Sequence, residues 1–150
     1  MKSFAESSVV SETIVRVRAL RSDAPALWGN MNVHQMICHL SDSFRSTTGQ
    51  RHTSTRTNLF QRTIVKWFAL YFPANWPKGV PTLPEVDQRK AGTLPLEWER
   101  DRAELLRLME WFSSPQTRKT PHPIFGQMTE PQWMRWAYLH CDHHLRQFGA

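Results

Sequence analysis

His140 and His144 stand four residues apart in a run, 129–148, whose apolar spacing predicts one helix. At i and i+4 the two imidazoles lie one above the other on one face, the geometry of a chelate. On a wheel of about 100° per residue, Trp133, Trp136, Ala137, His140, His144 and Gln147 share that face, and Asp142 points away from it. The imidazoles therefore face inward with the tryptophans, where a polar group needs a partner. One shared metal ion would satisfy both, whereas bonds to backbone or to each other would be the bland alternative.

Two histidines make a poor site, and the best third donor is His39, in a second helix-forming stretch. Three neutral imidazoles leave at least one coordination position open, the mark of a catalytic rather than a structural metal. His143, three residues from His140, is an alternative to His144, but it lies nearer the edge of the inward face. Gln35, one turn before His39, and Gln147, just under one turn after His144, are candidates to orient the rings by hydrogen bonds. Asp42 is the one nearby carboxylate whose position lets it approach, and His34 is expected to be solvated or interfacial. Cys38 and Cys141 each adjoin a candidate ligand about 100° round the helix, so they are expected to pack beside the site.

The elements that must position these groups read as helices. The patterns predict helix A over 9–20, B over 32–48, C over 96–112 and D over 129–148, with an accessory helix over 58–72. Asn32 with Gln35 and Thr129 with Gln132 have the spacing of capping boxes, and Pro131 falls in the first turn of D. Between B and C a loop carrying Pro73, Pro77, Pro81, Pro84 and Pro95 is too rich in proline for regular structure. His39 lies about 10 Å into B and His144 about 6 Å from the end of D, so the two are level only if B and D are antiparallel. Short loops would make B and D parallel, which requires a long crossover between B and C, and residues 50–95 can supply it. By the same rise, His122 stands about 16 Å from His140 along the axis and is expected to cap the opposite end of the bundle.

One hundred and fifty residues, 40% hydrophobic with seven Trp and eight Phe, describe one globular domain over 1–150. The N-terminus shows no apolar signal-peptide core, and the longest apolar run, near Trp67 to Phe72, is far below the ~20 residues of a membrane span. A cytoplasmic protein with no membrane partner and no disulfide is the expectation. The net charge of +6, with Arg45, Arg51, Arg56, Arg62 and Lys66 in the middle, raises nucleic-acid binding. Those charges have apolar interruptions and no accompanying helix-turn-helix, zinc-finger or ribonucleoprotein signature, so no nucleic-acid partner is expected. A solvated basic face is the nearer reading, and attraction of a small acidic ligand is the next.

Four motifs carry a resemblance: the turn Trp28-Gly29-x-Met31, Gln35-Met36-x-x-His39-Leu40, His122-Pro123-x-Phe125-Gly126-x-Met128, and His140-x-x-x-His144-x-x-Gln147-Phe148. Together they resemble the DinB/YfiT-like metalloproteins, and within them a subgroup of uncharacterised domain proteins, over most of the chain from Trp28 onward. The resemblance implies that His39, His140 and His144 bind a divalent ion, in an all-α four-helix bundle of up-down-down-up topology. It also implies a homodimer, and an enzyme class that includes transferases and isomerases acting with low-molecular-weight thiols.

A divalent ion on three imidazoles activates water or a thiol at neutral pH, and zinc and nickel both suit imidazole. A hydrolase would usually add a carboxylate base, and none is obvious here, which weighs toward a thiol nucleophile and a small-molecule, thiol-linked substrate. The reading is a divalent-metal-binding protein acting as a metal-dependent thiol S-transferase or related enzyme. The alternatives are a non-catalytic metalloprotein whose ion stabilises the bundle or a dimer, and a metal-dependent hydrolase.

Overall fold

The helix holding His39, α2 (Val33–Thr47), is buried at every position from Met36 to Phe44. A helix buried all round sits at the centre of its protein. Its apolar stripe of Val33, Met36, Ile37, Leu40 and Phe44 is at most 2% exposed, and Phe44 meets Phe112 at 5.0 Å between ring centroids. The polar flank of α2 is satisfied internally: Ser41 and Ser43 donate to the carbonyls of Ile37 and His39 one turn back. The helix starts where the Asn32 side chain accepts the Gln35 N–H and the Gln35 side chain accepts the Asn32 N–H, a reciprocal capping box.

The computed structural model of the chain describes residues 1–72 and 75–150; Pro73, within the expected proline-rich loop, lies outside them. It is all-helical. Around α2 stand α1 (Ser7–Ala19), α4 (Trp98–Ser113) and α5 (Glu130–Gln147), and α3 (Lys66–Tyr71) follows a π-helical stretch at Gln61–Val65. Among the described residues there is no strand, only one antiparallel bridge between His122 and Gly126. α2 packs on α4 and α5, α1 packs on the same two helices, and α3 packs on α5.

The ends that meet are fixed by polar contacts. Phe4 N–H donates to Met134 near the start of α5, and Arg16 of α1 pairs with Asp142 further along it. Arg102, near the start of α4, donates to the Arg18 carbonyl at the end of α1. His34 at the start of α2 bonds Asp101 at the start of α4 at 2.8 Å. Thr120, ahead of α5, donates to Thr47 at the end of α2, and Gln147 at the end of α5 donates to Trp28 ahead of α2.

Three expectations are corrected. α4 begins at Trp98 rather than 96, because the Glu97 carboxylate accepts the N–H groups of Glu99 and Arg100 and sets the cap there. The proline-rich loop is not wholly irregular: Pro84–Val86 forms a 3-10 turn, with proline's fixed φ at its first position. His34 is not free in solvent, since it ties α2 to α4 through Asp101 and packs edge-on against Trp98.

The crossover is held to α2 by Asp42, which is fully buried one turn after His39. Its carboxylate accepts from Thr93 N at 2.7 Å, Thr93 Oγ1 at 2.8 Å, Gln88 Nε2 at 3.0 Å and Arg51 Nη1 at 3.2 Å. All these donors belong to residues 51–93, so one buried charge gathers both limbs of the crossover against the helix that carries His39.

Candidate metal centre

His39 from α2 and His140 and His144 from α5 converge, with one ligand-type atom of each within 4.8 Å of the others. Nε2 of His39 lies 3.2 Å from Nε2 of His140. Two nitrogens on a tetrahedral ion at metal–nitrogen distances of 2.0–2.1 Å would stand about 3.3 Å apart, so the spacing matches an edge of that tetrahedron. His39 and His144 are buried, and His140 is half-buried.

Two of the rings have their outer nitrogen fixed. His39 Nδ1 lies 2.7 Å from the Val86 carbonyl oxygen. A carbonyl only accepts, so the proton sits on Nδ1 and the Nε2 lone pair faces the cluster. His144 Nδ1 lies 2.9 Å from Gln147 Oε1, and Gln147 Nε2 in turn donates to the Trp28 carbonyl at 2.7 Å. That second bond fixes which end of the amide faces the ring, and the ring presents Nε2 inward. The turn at Gly29 makes this possible. Its φ is +79°, and a Cβ there would stand 2.7 Å from Gln147 Nε2.

The electrostatics favour the neutral, metal-binding form. Burial lowers the pKa of His39. It pushes His140 and His144 well below the ordinary imidazole range, and the neighbouring imidazoles act in the same direction on both. The donor set is thus three uncharged imidazoles, two of them oriented by oxygen acceptors, and it could hold a metal ion.

The cluster lies in the wall of a cavity of about 820 Å³. Trp136 lies tilted beside His140 at 5.0 Å, and Trp76 of the crossover lies 5.8 Å from the same ring, its Nε1–H held by the Ala69 carbonyl. Asp87 is the one carboxylate among the described residues that line this cavity. Its carboxyl lies below the usual range: burial works against this, but the Arg89 N–H and Lys90 outweigh it.

The sequence-derived residues divide as follows. His39, His140, His144 and Gln147 come together. Gln35 does not orient His39, because its side chain is engaged in the cap of α2 and the Val86 carbonyl takes that role. His143 stays outside the cluster, against Trp28 and Trp76. Asp42 is consumed by the crossover and is not a free base.

Cys141 is fully buried, its thiol pushed up by burial. Cys38 belongs to a second group with His34 and Asp101, where Asp101 already bonds His34 and Leu96 N–H; burial raises the Cys38 thiol to about 12. That group is closed by its own hydrogen bonds.

His122 is a correction. Its loop does meet the far end of α2, where Thr120 N–H donates to the Thr47 carbonyl, but its ring lines the same cavity, 5.4 Å from Trp136. The connection between Thr120 and Thr129 folds back along α5, so axial rise overstated the separation. Nδ1 accepts the N–H groups of Ile124 and Phe125 at 3.1 Å, and burial drives the pKa down to about 3. His122 is therefore neutral with its proton on Nε2. Val86 and Trp76 also escaped the sequence reading: a backbone carbonyl leaves no side-chain signal, and Trp76 was one aromatic in a proline-rich loop.

Helical packing and a three-histidine cluster beside a large cavity define a candidate metalloprotein. The chain belongs to the DUF1569 family of proteins of unknown function, whose family model matches residues 7–150. No curated protein and no solved structure matches it.

Proposed function

We propose that the protein binds one divalent metal ion, zinc or nickel, through His39, His140 and His144, and acts there on a small molecule with a low-molecular-weight thiol as nucleophile. The observation that carries the metal site is the convergence of three neutral imidazoles, one pair of them at tetrahedral-edge spacing and two with their outer nitrogens tied. An ion so held supplies Lewis acidity, which turns a thiol or water into a nucleophile at neutral pH. The adjoining cavity of about 820 Å³ supports a catalytic over a purely structural ion, because a structural site needs no such space.

The likeness to DinB/YfiT-like metalloproteins is part of the same reading. An up-down-down-up bundle is supported by the ends that meet: α1 runs with α5, α2 runs with α4, and the two pairs are opposed.

Asp87 favours a second reading, a metal-dependent hydrolase, because it is an ionised carboxylate in the cavity wall. Elemental analysis of untagged protein tests the site, with about one metal per chain expected in the parent and little in His144→Ala. Loss of electrophile and thiol is then followed over a panel of cellular thiols, alongside ester hydrolysis, in the parent and in Asp87→Asn. Thiol-dependent turnover unchanged by Asp87→Asn supports the transferase, whereas thiol-independent hydrolysis abolished by it supports the hydrolase. Metal-free protein after reconstitution would sink both.

A further inference from the structure

Residues 43–84 contain six Arg and Lys and no Asp or Glu. Taking these six from the 19 Lys and Arg leaves 13, which balances the 13 Asp and Glu of the chain. The whole net charge of +6 therefore resides in this one stretch. Arg45 and Arg51 turn back to Asp42. Arg56, Arg62, Lys66 and Lys78 form no ion pair among the described residues: Lys66 reaches the Gln127 carbonyl, Lys78 lies over the Trp28 ring, and Arg62 runs along Gly126.

The same stretch carries a run of exposed large apolar residues. Phe60, Ile64, Trp67, Phe68, Tyr71 and Phe72 follow at i, i+4, i+7, i+8, i+11 and i+12, the period of one helical face. They are between 38% and 61% exposed. The other side of the segment holds it to the bundle: Leu70 is fully buried, Val65 and Ala69 pack on the core, and Arg135 of α5 donates to the Leu70 carbonyl. An anchored helix with aromatic residues outward and unpaired cations around it has the make-up of an interfacial helix.

We infer that the segment 59–72 docks the protein on an anionic membrane surface, its aromatic face inserted among the acyl chains and Arg56, Arg62, Lys66 and Lys78 set against lipid headgroups. No helix among the described residues is long and apolar enough to cross a membrane, so the contact is peripheral. Charge selects the occupant. A second copy meeting the face across a two-fold axis would bring this stretch of six cations and no acid against its like. Nucleic acid would use the cations but leave Ile64 and its aliphatic and aromatic neighbours without a role. A bilayer with acidic headgroups satisfies both features.

Phe68 and Phe72 belong at once to the exposed face and to the wall of the cavity beside the three histidines. Docking by this helix therefore presents the cavity mouth to the lipid.

The test is co-sedimentation of the full chain with vesicles of phosphatidylcholine, alone or with 30% phosphatidylserine, over a range of salt. Binding to the acidic vesicles that weakens as salt rises, with at least tenfold less on neutral vesicles, is expected. Phe60→Ser with Trp67→Ser, both outside the cavity wall, should lower partitioning at least tenfold with helicity unchanged. Arg56→Glu with Arg62→Glu should lower it by a similar factor on acidic vesicles only.

Equal binding to both vesicle types would overturn the electrostatic half of the inference. Absence of vesicle binding would overturn it entirely. In that event, a dimer by sedimentation equilibrium that the serine pair dissociates assigns the face to a second copy. RNA binding insensitive to the serine pair assigns the charge to nucleic acid.

Discussion

At the scale of the residue, the cluster depends on how each imidazole is held as much as on its presence. Gln147→Leu leaves all three ligands in place but frees the His144 ring. Loss of such an orienting bond costs about 10- to 100-fold in metal affinity, measured by competition with a chromogenic chelator. Gly29→Ala should give a loss of the same order, because its Cβ would displace the Gln147 amide.

His122 supplies a different prediction, in stability. Its folded pKa of about 3 lies below the ordinary 6.5. As pH falls below about 6.5 the unfolded chain takes up a proton that the folded chain refuses. Stability is thus full above about 6.5 and is lost progressively toward pH 3. His122→Asn keeps an oxygen that can accept the Ile124 and Phe125 N–H groups but does not titrate. Urea unfolding of the metal-free variant between pH 6 and 4 should show a slope shallower by about 1.4 kcal/mol per pH unit. An unchanged slope would contradict a buried neutral His122.

At the scale of the element, the crossover is a working part of the site. The 3-10 turn Pro84–Val86 places the carbonyl that orients His39, and Asp42 holds the limbs on either side of that turn. Asp42→Ala removes a buried carboxylate and leaves the Thr93 N–H and the Gln88 amide without that acceptor and Arg51 without its counter-ion. The expected loss of stability is about 3–5 kcal/mol by chemical unfolding. Weaker metal binding should follow although no ligand is touched. Asp42→Asn, which keeps the shape and one acceptor, should recover part of both. The capping box of α2 is the milder case: Asn32→Ala should cost about 1 kcal/mol and leave metal affinity nearly intact, because His39 lies two turns further in.

At the scale of the whole molecule, the site joins α2 and α5 across 101 residues of chain separation, and an ion shared between them binds only the folded state. Removing it with a chelator should lower the melting temperature. At free metal about 100 times the dissociation constant the linkage is worth about 2.7 kcal/mol, or roughly 5–10 °C for a chain of this size. Scanning calorimetry at stepped metal concentrations checks this, and a melting point independent of metal would argue that no ion bridges the two helices. His144→Ala should melt at the metal-free temperature whatever the metal concentration.

Local spacing decided a good deal. The 3.6-residue period placed α2 and α5 within one or two residues of their observed bounds, and Asn32 and Gln35 mark the start of α2 because the cap is made by neighbours. The same period set His140 and His144 on one face, and a polar pair facing the core already asks for a shared partner.

What spacing could not carry was any contact made by backbone or across the crossover. The bond from His39 spans 47 residues and ends on a carbonyl, so Val86 was invisible and the local guess, Gln35, proved to be committed to its own helix end. His122 was misplaced for the same reason: distance along an axis says nothing about a connection that folds back against the helix. Gln147 was legible because it acts within one turn of His144. Sequence alone determined which side chains share a face, and the tertiary structure alone decided which groups meet that face from elsewhere in the chain.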